Sequence, residues 1–281
     1  MDGIFHAQIK PLAAGDAGIA QFALRVVSQI AGEGGIDSGT PRRDLLQLLV
    51  RFARGGDPAV MERLFVEMKR QRVSAERMVD VYIPAAVGEI GTAWHLGELD
   101  ILQATVGTAR IQHLLRELGR AWAADIMGPV DGARVLVIVP VQEQHSLGAM
   151  IAVNQMRRLG VSVCLQLQPP PAAVTELVAN RAFDAVFISV ANRSRLESCR
   201  QLVKTIRGGC KERIPIAIGG PLVELGLDAV ADTGADIITS SVTDALAACG
   251  LLSPGDDALS LDRLHLIKNE MADGDAFFTI V

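Results

Sequence analysis

The residues best placed to do chemistry stand directly after the most apolar run of the chain. Arg134-Val135-Leu136-Val137-Ile138-Val139 is followed by Pro140-Val141-Gln142-Glu143-Gln144-His145-Ser146-Leu147-Gly148. An imidazole can ligate a metal through one nitrogen while a carboxylate at the other nitrogen fixes the tautomer and raises ligand basicity. Glu143 precedes His145 by two residues, and Gly148 follows it by three. A glycine there lets a bulky ligand approach the backbone closely. Neither the dinucleotide GxGxxG fingerprint nor the P-loop pattern occurs in this loop. The same string is also compatible with an ordinary helix start and a solvated carboxylate.

Two later loops bear on that choice. The run Ala185–Ser189 ends in Ser189-Val190-Ala191, and the run Ile214–Ile218 ends in Gly219-Gly220-Pro221. Each has a plain explanation, Ser189 as a helix N-cap and the glycines as a tight turn. A carboxylate–imidazole pair, a hydroxyl and two positions without side chains, all at corresponding strand ends, point together to one ligand.

The elements that must hold these loops change character near residue 130. Before it, apolar residues recur at three- and four-residue spacing. That predicts helices over 44–53, 58–70, 74–88 and 100–123, with a further one over 17–31, and so a helical bundle. After Gly128-Pro129-Val130-Asp131-Gly132, short β-branched runs at 134–139, 161–165, 185–189, 214–218 and 236–239 alternate with helix-like stretches. Near-continuous apolar strands imply a parallel sheet covered on both faces. Five βα units imply a Rossmann-like, flavodoxin-like doubly wound sheet of order 2-1-3-4-5, whose ligands sit at the carboxyl ends of the strands where the order reverses. The expected divisions are an N-terminal extension (1–40), a helical cap (41–127), the α/β domain (131–250) and a tail (251–281).

Composition narrows the function. The 281 residues are 49% hydrophobic, 21% charged and 4% aromatic, with a net charge of −5, which is globular and speaks against a wholesale nucleic-acid coat. The segment from Arg42 to Arg77 is locally basic, which suits a solvated helix face or a partner surface. The four cysteines form no CxxC pair, so neither a zinc knuckle nor a disulfide framework is expected. No secretion signal or membrane span is read, and the expected compartment is the cytoplasm.

Residues 131–250 resemble the cobalamin-binding domains that take the cofactor base-off, with DxHxxG, a downstream SxL and a GG pair. The matches are Glu143, His145 and Gly148, then Ser189, then Gly219 and Gly220. The resemblance implies that His145 is the lower cobalt ligand. It also implies that the displaced dimethylbenzimidazole tail enters a slot past Gly148, Ser189 and the two glycines. Glu143 stands where that family has aspartate, and Ala191 where it has leucine. Glutamate is frequent in the light-sensing and regulatory branch.

Residues 79–119, with Val79-Asp80-Val81-Tyr82-Ile83-Pro84 and Trp94-His95-Leu96-Gly97-Glu98-Leu99, are similar to the four-helix cap of those proteins. By resemblance Trp94 lies over the upper corrin face; a plain core aromatic is the alternative. Related photoreceptor repressors carry Glu-His ten and eleven positions after that tryptophan. This chain has Ala104 and Thr105, so the resemblance implies that Thr105 is the residue toward the cofactor and that no second histidine is supplied there. His113 is eight residues further, about 12 Å along a helix. A small upper ligand or an alkyl group is expected.

The whole layout, and the run Trp94 to Gly107 above all, resembles the AerR/PpaA group of cobalamin-binding photosynthesis regulators. That resemblance implies a non-enzymatic antirepressor that responds to light or ligand and binds a CrtJ/PpsR-type repressor. No helix-turn-helix precedes the cap, so direct DNA binding is not expected. The alternatives are a corrinoid carrier for a methyltransferase, or a doubly wound domain without cofactor.

Overall fold

The computed structural model describes residues 19, 22, 40–125, 132–210, 212–220, 233–252, 266–269 and 277–280. The chain divides into two compact units, Met1–Met127 and Gly128–Val281.

In the first unit the helices are α1 (Arg43–Gly55), α2 (Pro58–Gln71), α3 (Ala75–Arg77), α4 (Ile83–His95) and α5 (Ile101–Asp125), with a π-helical turn at Met78–Tyr82 between α3 and α4. Local chemistry sets their ends. The α1 helix buries Leu45, Leu46, Leu49, Val50, Phe52 and Ala53 and stops at Gly56, whose φ of 67° is the left-handed stop that glycine supplies freely. Asp57 caps α2 by accepting from the Ala59 N–H at 2.8 Å, with Pro58 in the first turn. Ser74 Oγ accepts from the Arg77 N–H at 3.1 Å and starts α3.

The helix expected over 74–88 runs on to His95. Gly88 and Gly91 do not end it, because buried Ile90 continues the apolar face through them. The stop is Gly97, at φ 74°, whose N–H reaches the Trp94 carbonyl. Of the helix expected over 17–31, only Ile19 and Phe22 are described, both helical and buried, with Phe22 edge-on to Phe65 at 6.1 Å; the rest lies outside the described residues.

In the second unit the strands are β1 (Arg134–Val139), β2 (Ser162–Leu167), β3 (Ala185–Ser189), β4 (Ile216–Gly219) and β5 (Ile237–Ile238). The helices between them are α6 (Leu147–Arg158), α7 (Pro171–Asn180), α8 (Leu196–Gly209) and α9 (Val242–Ala248). All pairings are parallel and the order is β2-β1-β3-β4-β5, the doubly wound arrangement the sequence implies. Alternate strand residues serve opposite faces. Leu136, Ile138, Val186, Ile188 and Ile218 pack with Val178, Cys199 and Val203 on one side. Val135, Val137, Phe187 and Ile237 pack with Val153, Met156 and Leu246 on the other. That two-sided burial is why the strands read as unbroken apolar runs. The fourth strand starts at Ile216 rather than Ile214, since Pro215 has no N–H to give to the ladder.

Within the tail, β6 (Leu266–Asn269) and β7 (Phe277–Ile280) pair antiparallel as a separate two-stranded sheet. The remainder of that tail after Leu252, the extension before Thr40 apart from Ile19 and Phe22, and Pro221 lie outside the described residues. No helix among the described residues is long and apolar enough to cross a membrane.

Candidate functional site: a presented imidazole at the sheet switch point

β1 has β2 on one side and β3 on the other, so the chain reverses its winding between β1 and β3. The loops leaving those two strands part there and leave a crevice. Glu143 and His145 occupy it. Although the side chain is charged, Glu143 is only 2% exposed. One carboxylate oxygen accepts from the His145 backbone N–H at 2.9 Å and from its ring Nδ1–H at 2.6 Å. The other accepts from the Ala191 N–H at 3.1 Å, just beyond β3. One carboxylate therefore ties the two loops together across the switch point.

Burial by itself raises the Glu143 carboxyl. The N–H groups of His145 and Ala191, then the imidazole, outweigh it and hold the carboxyl below the usual carboxylate range. With Nδ1 engaged, the lone pair of the ring sits on Nε2, and the His145 side chain is 70% exposed. Beneath the pair, burial pushes the Cys199 thiol up to about 12, and the charge of Glu143 adds to it, so Cys199 is no thiolate at neutral pH.

The depressed carboxyl has a pH consequence with a definite sign. Ionised Glu143 stabilises the fold fully above the ordinary carboxylate value, and that contribution is lost as pH falls through the lowered one. In urea melts the stability difference between the protein and Glu143→Gln should be present above the ordinary carboxylate range and shrink as pH falls through and below it. A difference that persists undiminished at acid pH contradicts the assignment.

The three glycines do different work. A Cβ on Gly148, in the first turn of α6, would meet no protein atom within 4 Å. Nothing among the described residues requires glycine there, and Gly148 is exposed, three residues after His145. A Cβ on Gly219 would lie 2.9 Å from the Thr239 carbonyl oxygen, and one on Gly220 would lie 2.5 Å from that of Val190. Gly220 also has φ 108°. These two are demanded by neighbouring backbone, in line with the tight-turn reading of the pair that stood beside the ligand reading.

Ser189 ends β3, half-buried and in register with Gly219. It is no helix cap: a 3-10 turn at Arg193–Arg195 intervenes before α8, and Asn192 accepts from the Ser194 N–H ahead of it. Trp94 and Thr105 belong to the first unit. Trp94 is 43% exposed beside His95, with ring centroids 5.1 Å apart, so it is not a core aromatic. Thr105 is exposed, and its hydroxyl donates to the Ile101 carbonyl at 2.7 Å. Leu96, Ile101 and Leu102 are exposed close by in sequence, so apolar surface stands on either side of the α4–α5 turn.

Among the described residues no cluster of three His, Cys, Asp or Glu side chains could hold a bare metal ion. A metal that brings its own macrocycle would need little more than a donor such as the exposed His145 imidazole and open space such as Gly148 leaves. The donor set fits a corrinoid.

The comparisons with known proteins agree. Residues 133–250 match the B12 binding domain family. Over 183 residues the chain is 40% identical to the "Uncharacterized 20.5 kDa protein in bchF-crtJ intergenic region" of Rhodobacter capsulatus, covering 65% of this chain and 95% of that protein. The chain belongs to the cobalamin-binding AerR/PpaA group. The monomethylamine corrinoid protein of Methanosarcina barkeri has a similar structure, with a TM-score of 0.55 and 12% identity over 73% of this chain and 94% of that one. That likeness is one of fold. In this AerR/PpaA member the sequence reading missed two parts of the site. The Ala191 N–H is a backbone donor and leaves no mark in residue type. Gln168 donates to the Glu143 carbonyl at 2.9 Å from the β2–α7 loop.

Proposed function

We propose that this AerR/PpaA protein is a non-enzymatic, cobalamin-dependent regulator acting in the cytoplasm. It binds a CrtJ/PpsR-type repressor of photosynthesis genes and relieves its action in response to light or to exchange of the upper cobalt ligand. The observation that carries the reading is the imidazole of His145, with Nδ1 fixed by a buried carboxylate and Nε2 turned outward. Such a nitrogen could serve as a protein ligand to the cobalt of a corrinoid taken base-off, and Gly148, Ser189 and Gly219 are the residues that would border its displaced tail. Bound cobalamin supplies a visible-light chromophore and a cobalt centre with exchangeable ligands.

The remaining work is done by the chain. His145 would hold the metal, and Glu143 keeps the ring oriented and its Nδ1 proton in place. Trp94, which offers a broad apolar face, would cover the upper side. A trigger shifts the population of the chain's arrangements only as far as its binding differs between them. The genomic setting of the Rhodobacter relative, between bchF and crtJ, supports the repressor as partner.

The test is release of a CrtJ/PpsR-type repressor from its operator, followed by fluorescence anisotropy. Protein loaded with hydroxocobalamin should release it, and cofactor-free protein or a loaded Trp94→Ala variant should release it far less. A repressor indifferent to the loaded protein overturns the antirepressor role. Methyl transfer from a methyltransferase to bound cob(I)alamin, with no effect on repressor, would instead place the chain among corrinoid carriers.

A further inference from the structure

Among the described residues, three that are not glycine have left-handed backbone: Arg72, Gln142 and Gln168. Arg72 follows the last turn of α2, where that conformation is routine. The other two belong to the rim around Glu143. A non-glycine residue keeps such a conformation only where its surroundings impose it, and such residues gather at functional sites.

Gln168 has φ 51° and makes two bonds that explain it. Its backbone N–H donates to the Val139 carbonyl at 2.8 Å, at the end of β1. Its side-chain Nε2 donates to the Glu143 carbonyl at 2.9 Å. The left-handed turn aims the glutamine side chain from the β2–α7 loop back over the β1–α6 loop. Gln142, with φ 68°, is held from the opposite direction, since its Oε1 accepts from Arg195 Nη1 at 2.9 Å. The peptide bearing Glu143 is thus gripped from both sides.

We propose that Gln168 is a positioning residue that fixes the Glu143–His145 pair and through it the direction of His145 Nε2. The consequence for cobalt rests on the cobalamin reading above. The positioning itself is a property of the cofactor-free protein and can be measured there.

Two variants separate positioning from mere support. In Gln168→Gly the side-chain bond is lost, but glycine adopts the left-handed backbone without strain. Gln168→Glu keeps the length but offers a carboxylate to a carbonyl, so no bond forms. Amide hydrogen exchange at the His145 and Ala191 N–H groups reports how firmly Glu143 holds both. In cofactor-free protein both variants should exchange there about tenfold faster, while Gln168→Gly melts at or above the wild-type temperature. After addition of hydroxocobalamin, the fraction showing a histidine-ligated absorption spectrum should fall in both.

Unchanged exchange at the two amides overturns the proposal. So does faster exchange spread evenly over the sheet with a matching fall in melting temperature, which would make Gln168 a structural residue only. If the cobalamin spectrum is indifferent to His145→Ala, the assignment of His145 as cobalt ligand fails, and the exchange at those two amides still decides the role of Gln168.

Discussion

Replacing His145 by alanine should remove the lower-ligand signature from the absorption spectrum of the cobalamin-loaded protein while leaving the fold intact. The side chain is largely exposed, and among the described residues its ring is hydrogen-bonded to Glu143. Loss of an exposed group of this kind costs about 1 kcal/mol or less. Glu143 keeps the backbone N–H of residues 145 and 191, so the loops stay joined. The cofactor loses its protein donor. Since removing even an outer partner of a ligand commonly lowers metal affinity 10- to 100-fold, removing the ligand itself should weaken retention by about a hundredfold or more. Equilibrium dialysis and the dark spectrum read the two effects separately. A variant that keeps the wild-type spectrum means the cobalt is held by something else.

The second large effect belongs to stability. Gly220→Ala sets a methyl group 2.5 Å from the Val190 oxygen and 3.2 Å from its carbonyl carbon, in a backbone conformation that L-residues avoid. Both atoms are backbone at the end of β3, so neither can swing away. A cost of about 3 kcal/mol is expected in urea-melt stability, within the range for backbone strain combined with a fixed clash. Gly148→Ala is the informative contrast. Its Cβ meets nothing, and alanine is the better helix former, so the cofactor-free protein should be unchanged or more stable by about 0.5 kcal/mol. Cobalamin affinity should nevertheless fall, because the methyl fills the space beside His145. If Gly220→Ala is harmless, the close approach of β4 to β3 is wrong; if Gly148→Ala binds cobalamin normally, Gly148 does not border the ligand.

That contrast shows where the sequence was transparent. The apolar runs of the strands announced a sheet buried on both faces, and the order of βα units then placed the Glu143–His145 loop at the switch point. Glu143, His145 and Gly148 could be picked out because the chemistry proposed for them lies in residue type and spacing. Gly219 and Gly220 could be picked out too, but as ligand space or as a tight turn, and the structure adds the backbone contacts that require them. A glycine that makes room for a ligand and one that makes room for the next strand are identical letters. The end of α4 was misjudged for a related reason: Gly88 looks like a stop until the burial of Ile90 beyond it is known. The hold on Glu143 was hidden more deeply. The Ala191 amide belongs to every residue but proline, and the left-handed turn that aims Gln168 arises from loop closure over a strand end.

The bond from the Ala191 amide to Glu143 has an evolutionary corollary. Because the donor is peptide rather than side chain, exchange of alanine for leucine or another residue at this position leaves the tether whole, and only an imino acid abolishes it. Selection on the carboxylate's grip is therefore blind to the identity of the residue supplying it, and the letter at 191 can drift among relatives while the interaction it carries stays constant.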